Sequence, residues 1–262
     1  MIGTPPIPEG FWRKAAASES PVLILDYDGT LAPFCDDPSR AVPYPGVREL
    51  LIRISRSRTR VAVVSGRPAR EIFGLLDTPG IDLWGEHGGE RFRDGASVFL
   101  FPPGAEQETL FAKAVEMAQR ESPGVRLERK RLSLAAHVRG VPEGERRLDV
   151  LERVWRSLLG ERREEISLQR FDGGIELRPQ RVGKALAVSE ILSGTGKDDA
   201  VAYLGDDFTD EDAFLALGAR GLAVLVRKEP RPTAARHRIV PPEQLIPFLG
   251  RWAASVEGGG PE

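Results

Sequence analysis

The chain has 262 residues, 41% hydrophobic and 29% charged, with a formal net charge of −2 and a single cysteine, Cys35. That length can bury a sizeable core as one large domain or two smaller ones, while the near-neutral charge argues against a nucleic-acid binder and the lone thiol excludes an internal disulfide. No run of 18 apolar residues occurs and residues 1 to 8 lack a basic-then-apolar leader pattern, so the expected compartment is the cytoplasm.

Residues 9 to 19 read as a short lead-in helix. Next comes Val22-Leu23-Ile24-Leu25, four aliphatic residues running straight into Asp26-Tyr27-Asp28-Gly29-Thr30-Leu31, which predicts a fully buried parallel strand that opens at a polar site. Strand ends of this kind are where open α/β sheets bind ligands. Alternation along extended chain places Asp26 and Asp28 on one side and Tyr27 on the other. Gly29 then permits a sharp turn, and Thr30 adds a hydroxyl. Residues 45 to 54 set Val47, Leu50, Leu51 and Ile54 on one helical face. The four arginines within residues 53 to 60 read as a solvated helix end rather than a nucleic-acid patch.

A second apolar strand, Val61-Ala62-Val63-Val64, ends at Ser65-Gly66-Arg67, and Pro68 suits the first turn of the following helix. A small hydroxyl and a glycine at that junction make an anion cradle. Ile81-Asp82-Leu83-Trp84 then closes on the glycine-rich bend Gly85-Glu86-His87-Gly88-Gly89. Strand, helix, strand, helix is the rhythm of a doubly wound parallel sheet.

From about residue 104 the rhythm changes to helix, two alternating strands, helix and a hairpin turning at Asp172-Gly173-Gly174. Residues 104–178 are therefore expected to form an inserted α+β cap, with 1–103 and 179–262 as the catalytic core. The core resumes with a helix opening at Val182-Gly183-Lys184, and a third buried strand, Ala200-Val201-Ala202-Tyr203-Leu204, runs into Gly205-Asp206-Asp207-Phe208-Thr209-Asp210-Glu211-Asp212. Seven residues with five carboxylates exceed what helix capping needs, and a hard cation is the natural occupant. The last strand is expected at Gly221-Leu222-Ala223-Val224-Leu225-Val226, followed by a terminal helix and a disordered tail over residues 258–262. Gly194-Thr195-Gly196-Lys197 lacks the first glycine of a phosphate loop and reads as a turn.

Asp26-Tyr27-Asp28-Gly29-Thr30-Leu31 after a buried strand resembles the first motif of the haloacid-dehalogenase-like hydrolases, most of which are phosphatases. Ser65-Gly66, Lys184 and Asp206-Asp207 follow in the order of the remaining motifs. Three further stretches, Glu128-Arg129-Lys130-Arg131-Leu132-Ser133, His137-Val138-Arg139 and Gly174-Ile175-Glu176-Leu177-Arg178-Pro179, make the chain similar to the trehalose-6-phosphate phosphatase family over about residues 20 to 250. Val138 stands where that family more often has tyrosine, and Ala185 where it often has glycine.

The resemblance implies a haloacid-dehalogenase-like Rossmannoid core with an inserted cap, and a Mg²⁺-dependent phosphatase working through an aspartyl-phosphate. Asp26 would be the nucleophile and Asp28 the acid and then the base. Mg²⁺ would be held by Asp26, the backbone carbonyl of Asp28 and Asp206, with Asp207 and Asp210 acting directly or through waters. Ser65 and Gly66 would hold the phosphoryl oxygens and Lys184 would neutralise charge there. Sugar hydroxyls would be met by Lys130, His137, Arg139 and Glu176 of the cap, with Arg67, Glu86 and His87 of the core. Other sugar phosphates remain open as substrates: sucrose 6-phosphate, glucosyl- or mannosyl-glycerate phosphate and glucosylglycerol phosphate. So does a non-catalytic sugar-phosphate sensor. A monomer is expected, with association with a trehalose-phosphate synthase as an option.

Overall fold

The computed structural model describes residues 6–35, 37–93, 95–171 and 173–257. In chain order it runs α1 (Glu9–Ala17), β1 (Val22–Leu25), α2 (Val47–Ser55), β2 (Arg60–Val64), α3 (Ala69–Leu76), β3 (Asp82–Gly85), β4 (Glu90–Arg93) and β5 (Ala96–Phe99). A second group follows: α4 (Ala105–Glu121), β6 (Arg126–Arg129), β7 (Leu134–His137), α5 (Gly144–Leu159), β8 (Ile166–Phe171) and β9 (Gly174–Pro179). The chain closes with α6 (Lys184–Ser193), β10 (Val201–Gly205), α7 (Glu211–Leu217), β11 (Leu222–Val226), β12 (His237–Ile239) and α8 (Leu245–Glu257). None of the described helices is long and apolar enough to cross a membrane.

Two compact units result, one from Met1–Val98 with Gly183–Glu262 and the other Phe99–Val182. The expected insert, 104–178, is shorter at both ends. Residues just outside it are held by elements of the second unit: Gln180 N donates to Glu165 O at 2.7 Å, and the Arg181 guanidinium lies 4.8 Å over the Phe101 ring.

The first unit carries one sheet in the order β12-β11-β10-β1-β2-β3-β4-β5. From β12 to β3 every pairing is parallel, and β4 adds antiparallel to β3. Period-two alternation splits the apolar residues between two faces. Leu23, Leu25, Val61, Val63, Leu204 and Val224 pack with α1, α2, α3 and α8, whereas Val22, Ile24, Ala62, Val64 and Tyr203 pack with α6 and α7. Burial on both faces explains why β1, β10 and β11 hold no charged residue and read as unbroken apolar runs.

The strand at Leu222–Val226 is not the last, because β12 extends the sheet beyond it, and the β4–β5 hairpin also lies outside the expected pattern. Both additions sit at sheet edges, where short charged strands such as Glu90-Arg91-Phe92-Arg93 carry little apolar signal. The tail over 258–262 and Asp172 of the hairpin turn lie outside the described residues.

In the second unit an antiparallel sheet of order β6-β7-β9-β8 buries one face under α4 and α5. Leu134, Ala136, Ile175 and Leu177 point into that cluster with Phe111, Leu151 and Trp155, whose indole N–H donates to Ala114 O at 3.0 Å. Alternation turns Glu128, His137 and Glu176 to the other face.

Candidate active site

The site of the first unit forms where β1 and β10 end side by side. Asp26 N donates to Leu204 O at 2.8 Å, which prolongs the β1–β10 pairing and fixes the backbone of Asp26. Tyr27 turns the opposite way, its hydroxyl donating to Ala41 O at 2.7 Å. The chain then folds back tightly, with the N–H groups of Leu31 and Ala32 both donating to Tyr27 O. Gly29 sits at φ 77°, and a Cβ there would collide with the Asp206 carboxylate, so both conformation and space require glycine.

Asp26 is buried. Its Oδ1 accepts from Lys184 Nζ at 2.6 Å, and its Oδ2 accepts from Thr30 Oγ1 at 3.4 Å. Lys184, the first residue of α6, also donates to Asp210 Oδ1 at 2.7 Å. Asp26, Asp206 and Asp210 each place one carboxylate oxygen within 4.8 Å of the others. Burial, with the charges of Asp210 and Asp28, pushes the Asp26 carboxyl up to about 7 against the pull of Lys184. Burial and the same crowding by Asp26 and Asp210 raise Asp206 well above the carboxylate range. Burial would lower Lys184, but Asp210 and Asp26 outweigh it and hold the ammonium charged.

One ammonium therefore faces three carboxylates, and Asp206 Oδ1 is buried with no hydrogen-bond partner among the described residues. A group of hard oxygens, crowded and under-compensated, fits a hard divalent cation. Asp210 is the member least able to give an oxygen to it. Its Oδ1 accepts from Lys184 and from Tyr203 Oη at 2.6 Å, and its Oδ2 accepts from the N–H groups of Asp206 and Asp207 at 3.0 and 2.9 Å. Those four bonds use the capacity of one carboxylate. Asp207 stands outside the three-carboxylate group, and its side chain caps the turn at Phe208–Asp210 by accepting from Phe208 N at 2.7 Å.

Asp28 has other company. Arg67 grips it with a two-pronged fork, Nε to Oδ2 and Nη2 to Oδ1, both at 2.6 Å, while Nη1 donates to Pro38 O at 2.7 Å. Arg67, expected to meet sugar, is thus committed to the second aspartate. Ser65 is buried at the end of β2, its Oγ accepting from Arg67 N at 3.1 Å. The bend after β3 lies against this loop: His87 N donates to Ser65 O at 2.9 Å and Glu86 N to Arg67 O at 2.8 Å. Both Glu86 and His87 are buried and left-handed, at φ 43° and 58°. A Cβ on Gly66 would come 2.7 Å from His87 Cε1, so glycine is needed for the loops to meet.

In the second unit, the polar face of the sheet gathers its own group. His137 Nε2 lies 2.7 Å from Glu128 Oε2, Lys130 Nζ 3.5 Å from Glu176 Oε1, and Ser133 Oγ donates to that same oxygen at 2.7 Å. The hydrogen bond with His137, reinforced by the Lys130 charge, holds the Glu128 carboxyl down at about 2. Arg139 is exposed beside Gly173, where a Cβ would approach its Nε to 3.4 Å.

Sequence reading did not single out Glu128, Ser133, Tyr203 or Arg231. The first three lie inside stretches already marked, but a side chain's partner depends on non-local pairing. Arg231, whose guanidinium donates to Asp207 O at 2.7 Å, comes from a segment with no motif.

Residues 24–239 match the family model described as trehalose-phosphatase. Trehalose-phosphate phosphatase B of Arabidopsis thaliana is 32% identical over 256 residues, covering 91% of this chain and 67% of that protein. The trehalose-phosphate phosphatase of Mycobacterium marinum is 32% identical over 247 residues, 90% of this chain and 62% of that one, so the chain spans about two thirds of these relatives' length. Among solved structures, the C-terminal domain of C. albicans trehalose-6-phosphate phosphatase superposes with a TM-score of 0.81, covering 96% of this chain and 98% of that one at 23% identity, a likeness of fold. Aspergillus fumigatus trehalose-6-phosphate phosphatase gives 0.69 at 27% identity, over 97% of this chain and 100% of the other.

Proposed function

The chain belongs to the trehalose-phosphatase family, and from that premise we propose that it hydrolyses trehalose 6-phosphate to trehalose and inorganic phosphate, with Mg²⁺ as cofactor. The observation that carries this is the buried Asp26 carboxylate, held 2.6 Å from Lys184 at the mouth of β1 inside a three-carboxylate group.

Asp26 Oδ attacks phosphorus, the bond from phosphorus to the sugar oxygen breaks, and an aspartyl-phosphate forms. Asp28 gives its proton to the departing sugar oxygen and then takes one from the water that hydrolyses the intermediate. The Arg67 fork keeps the Asp28 carboxyl from turning away. Ser65 Oγ and the N–H of Gly66 hold phosphoryl oxygens, and the Lys184 ammonium offsets charge that builds on them. Asp26, Asp206 and the backbone carbonyl of Asp28 would hold Mg²⁺. When bound, it offsets the repulsion between an anionic nucleophile and an anionic ester. Asp210 serves that chemistry through Lys184, whose ammonium it holds at 2.7 Å.

Sugar recognition falls to Glu176, Lys130, His137 and Arg139, with Glu128 and Ser133 orienting them. The Glu128–His137 and Ser133–Glu176 bonds at 2.7 Å support this reading, since they fix the rotamers of groups that must meet several hydroxyls at once. We infer a cytoplasmic monomer, in keeping with one unpaired cysteine, partly buried.

Phosphate release with Mg²⁺ from trehalose 6-phosphate, beside sucrose 6-phosphate, glucose 6-phosphate and glucosylglycerol phosphate, tests the assignment. A large kcat/KM preference for trehalose 6-phosphate is expected. Preference for another ester would replace the substrate and keep the chemistry, and release from none would return the chain to a sensor role.

A further inference from the structure

Arg231 lies between β11 and β12, 25 positions beyond Asp206 in the chain, yet its guanidinium is spent on the loop that carries that aspartate. Its side chain is only 8% exposed and stacks over the Phe208 ring at 4.7 Å. Nη2 donates to Asp207 O at 2.7 Å, and Nε and Nη2 both reach Asp206 O at 3.4 Å. Nη1 donates to Pro232 O at 2.9 Å and pairs with Glu211 Oε1 at 2.5 Å. The other oxygen of Glu211 accepts from Ala234 N at 2.7 Å, tying the same segment to the start of α7.

The loop has a structural need for such a partner. β10 ends at Gly205 and the next helical turn begins at Phe208, so the carbonyl of residue 206 leaves the sheet ladder before any helix can take it up, while that of residue 207 accepts from Asp210 N at 3.0 Å and has a second lone pair to offer. The carboxylate of Asp206 is in a special position as well. Its Oδ1 has no hydrogen bond among the described residues, as expected of an oxygen reserved for a cation, so its placement depends on its own backbone. That backbone is pinned from both sides, Asp206 N by Asp210 Oδ2 at 3.0 Å and Asp206 O by Arg231. A cation beside a metal site would ordinarily oppose metal binding, but Glu211 offsets the guanidinium charge.

We propose that Arg231 is a positioning residue for Asp206: acting through the 206–207 backbone, it holds that carboxylate ready for a divalent cation and so sets cation affinity. The inference rests on the cation reading of the proposed function and extends it to a residue far along the chain.

The test is Mg²⁺ binding to the whole protein by titration calorimetry, without substrate, in the wild type, Arg231→Ala and Arg231→Lys, with phosphate release followed across Mg²⁺ concentrations. Outer partners of metal ligands typically change affinity 10- to 100-fold. Arg231→Ala is expected to raise the Mg²⁺ dissociation constant about tenfold or more. Lysine keeps the charge without the fork, so Arg231→Lys should fall between, and it keeps the test open should the alanine variant fail to fold. The rate lost at low Mg²⁺ should return as Mg²⁺ is raised, with KM for the sugar phosphate little changed. Unaltered Mg²⁺ affinity in the folded variants, or a rate that no Mg²⁺ concentration restores, would overturn the proposal. A wild type that binds Mg²⁺ but releases no phosphate would sink the substrate reading alone and leave the affinity comparison standing. A wild type that binds no Mg²⁺ would overturn both.

Discussion

Asp26 and Asp28 stand two positions apart on the same side of the chain and end in opposite surroundings. Asp26 is buried among carboxylates with an ammonium against it, while Asp28 is a quarter exposed and held by a guanidinium. The cation beside each differs accordingly, Lys184 on Asp26 and Arg67 on Asp28. Asp26→Asn is expected to abolish turnover while near-ultraviolet circular dichroism stays native, since it removes the attacking oxygen and one cation ligand from a site whose backbone is fixed by β10. Measurable turnover would remove Asp26 from its role. Arg67→Lys tests the neighbour: lysine keeps the charge but loses the fork on Asp28, so kcat should fall by roughly tenfold with little change in stability. An unchanged kcat would return Arg67 to the sugar-binding role read from the sequence.

The elements differ in how far they could be read in advance, for a physical reason. β1, β2, β10 and β11 are buried on both faces and therefore appear as apolar runs, with Arg60 at the start of β2 the one charged residue, and each of the first three delivers its site residues directly at its end. β4, β5 and β12 lie at or near the sheet edges and left no such run: β4 and β12 carry charge, and β5 is four residues, three of them exposed. Site residues within marked motifs were legible by type and spacing. Their partners were not: the Arg67–Asp28 fork spans 39 positions and the clamp by Arg231 spans 25, and no local pattern encodes such pairings. The sheet of the second unit gives two predictions at this scale. Glu176→Ala should reduce kcat/KM on trehalose 6-phosphate far more than on a small aryl phosphate, because only the larger substrate uses contacts remote from phosphorus to orient itself. Equal losses on both would detach this face from substrate recognition. The second concerns acid. Glu128 is held down at about 2 from an ordinary value of 4.5, so its contribution to stability is present above about 4.5 and fades as pH falls through that window toward 2. About a third of its side chain meets water, which limits the effect to roughly 1 kcal/mol or less. The stability advantage of wild type over Glu128→Gln, measured by urea unfolding, should shrink between pH 6 and pH 3; an advantage constant across that range would refute the pairing.

For the whole molecule, the core unit stores its function as an electrostatic deficit. Three buried carboxylates share one ammonium, and both Asp26 and Asp206 are pushed toward the protonated form by burial and mutual repulsion, which marks a fold that spends stability to keep these oxygens together. A divalent cation bound only by the folded state must return some of that stability. At 100 times its dissociation constant it contributes about 2.7 kcal/mol, which for a protein of this size raises the melting temperature by roughly 5 to 10 °C. Asp206→Asn separates this from nonspecific salt effects because it acts in both directions. It relieves the crowding, so the metal-free melting temperature should rise, and it removes the oxygen that no hydrogen bond engages, so the increment on adding Mg²⁺ should largely vanish. Thermal scans of both proteins with chelator and with saturating Mg²⁺ decide the matter. A variant that melts lower without metal, or that gains as much from Mg²⁺ as the wild type, would mean that the crowded carboxylates serve the architecture of the sheet end and that the cation binds elsewhere.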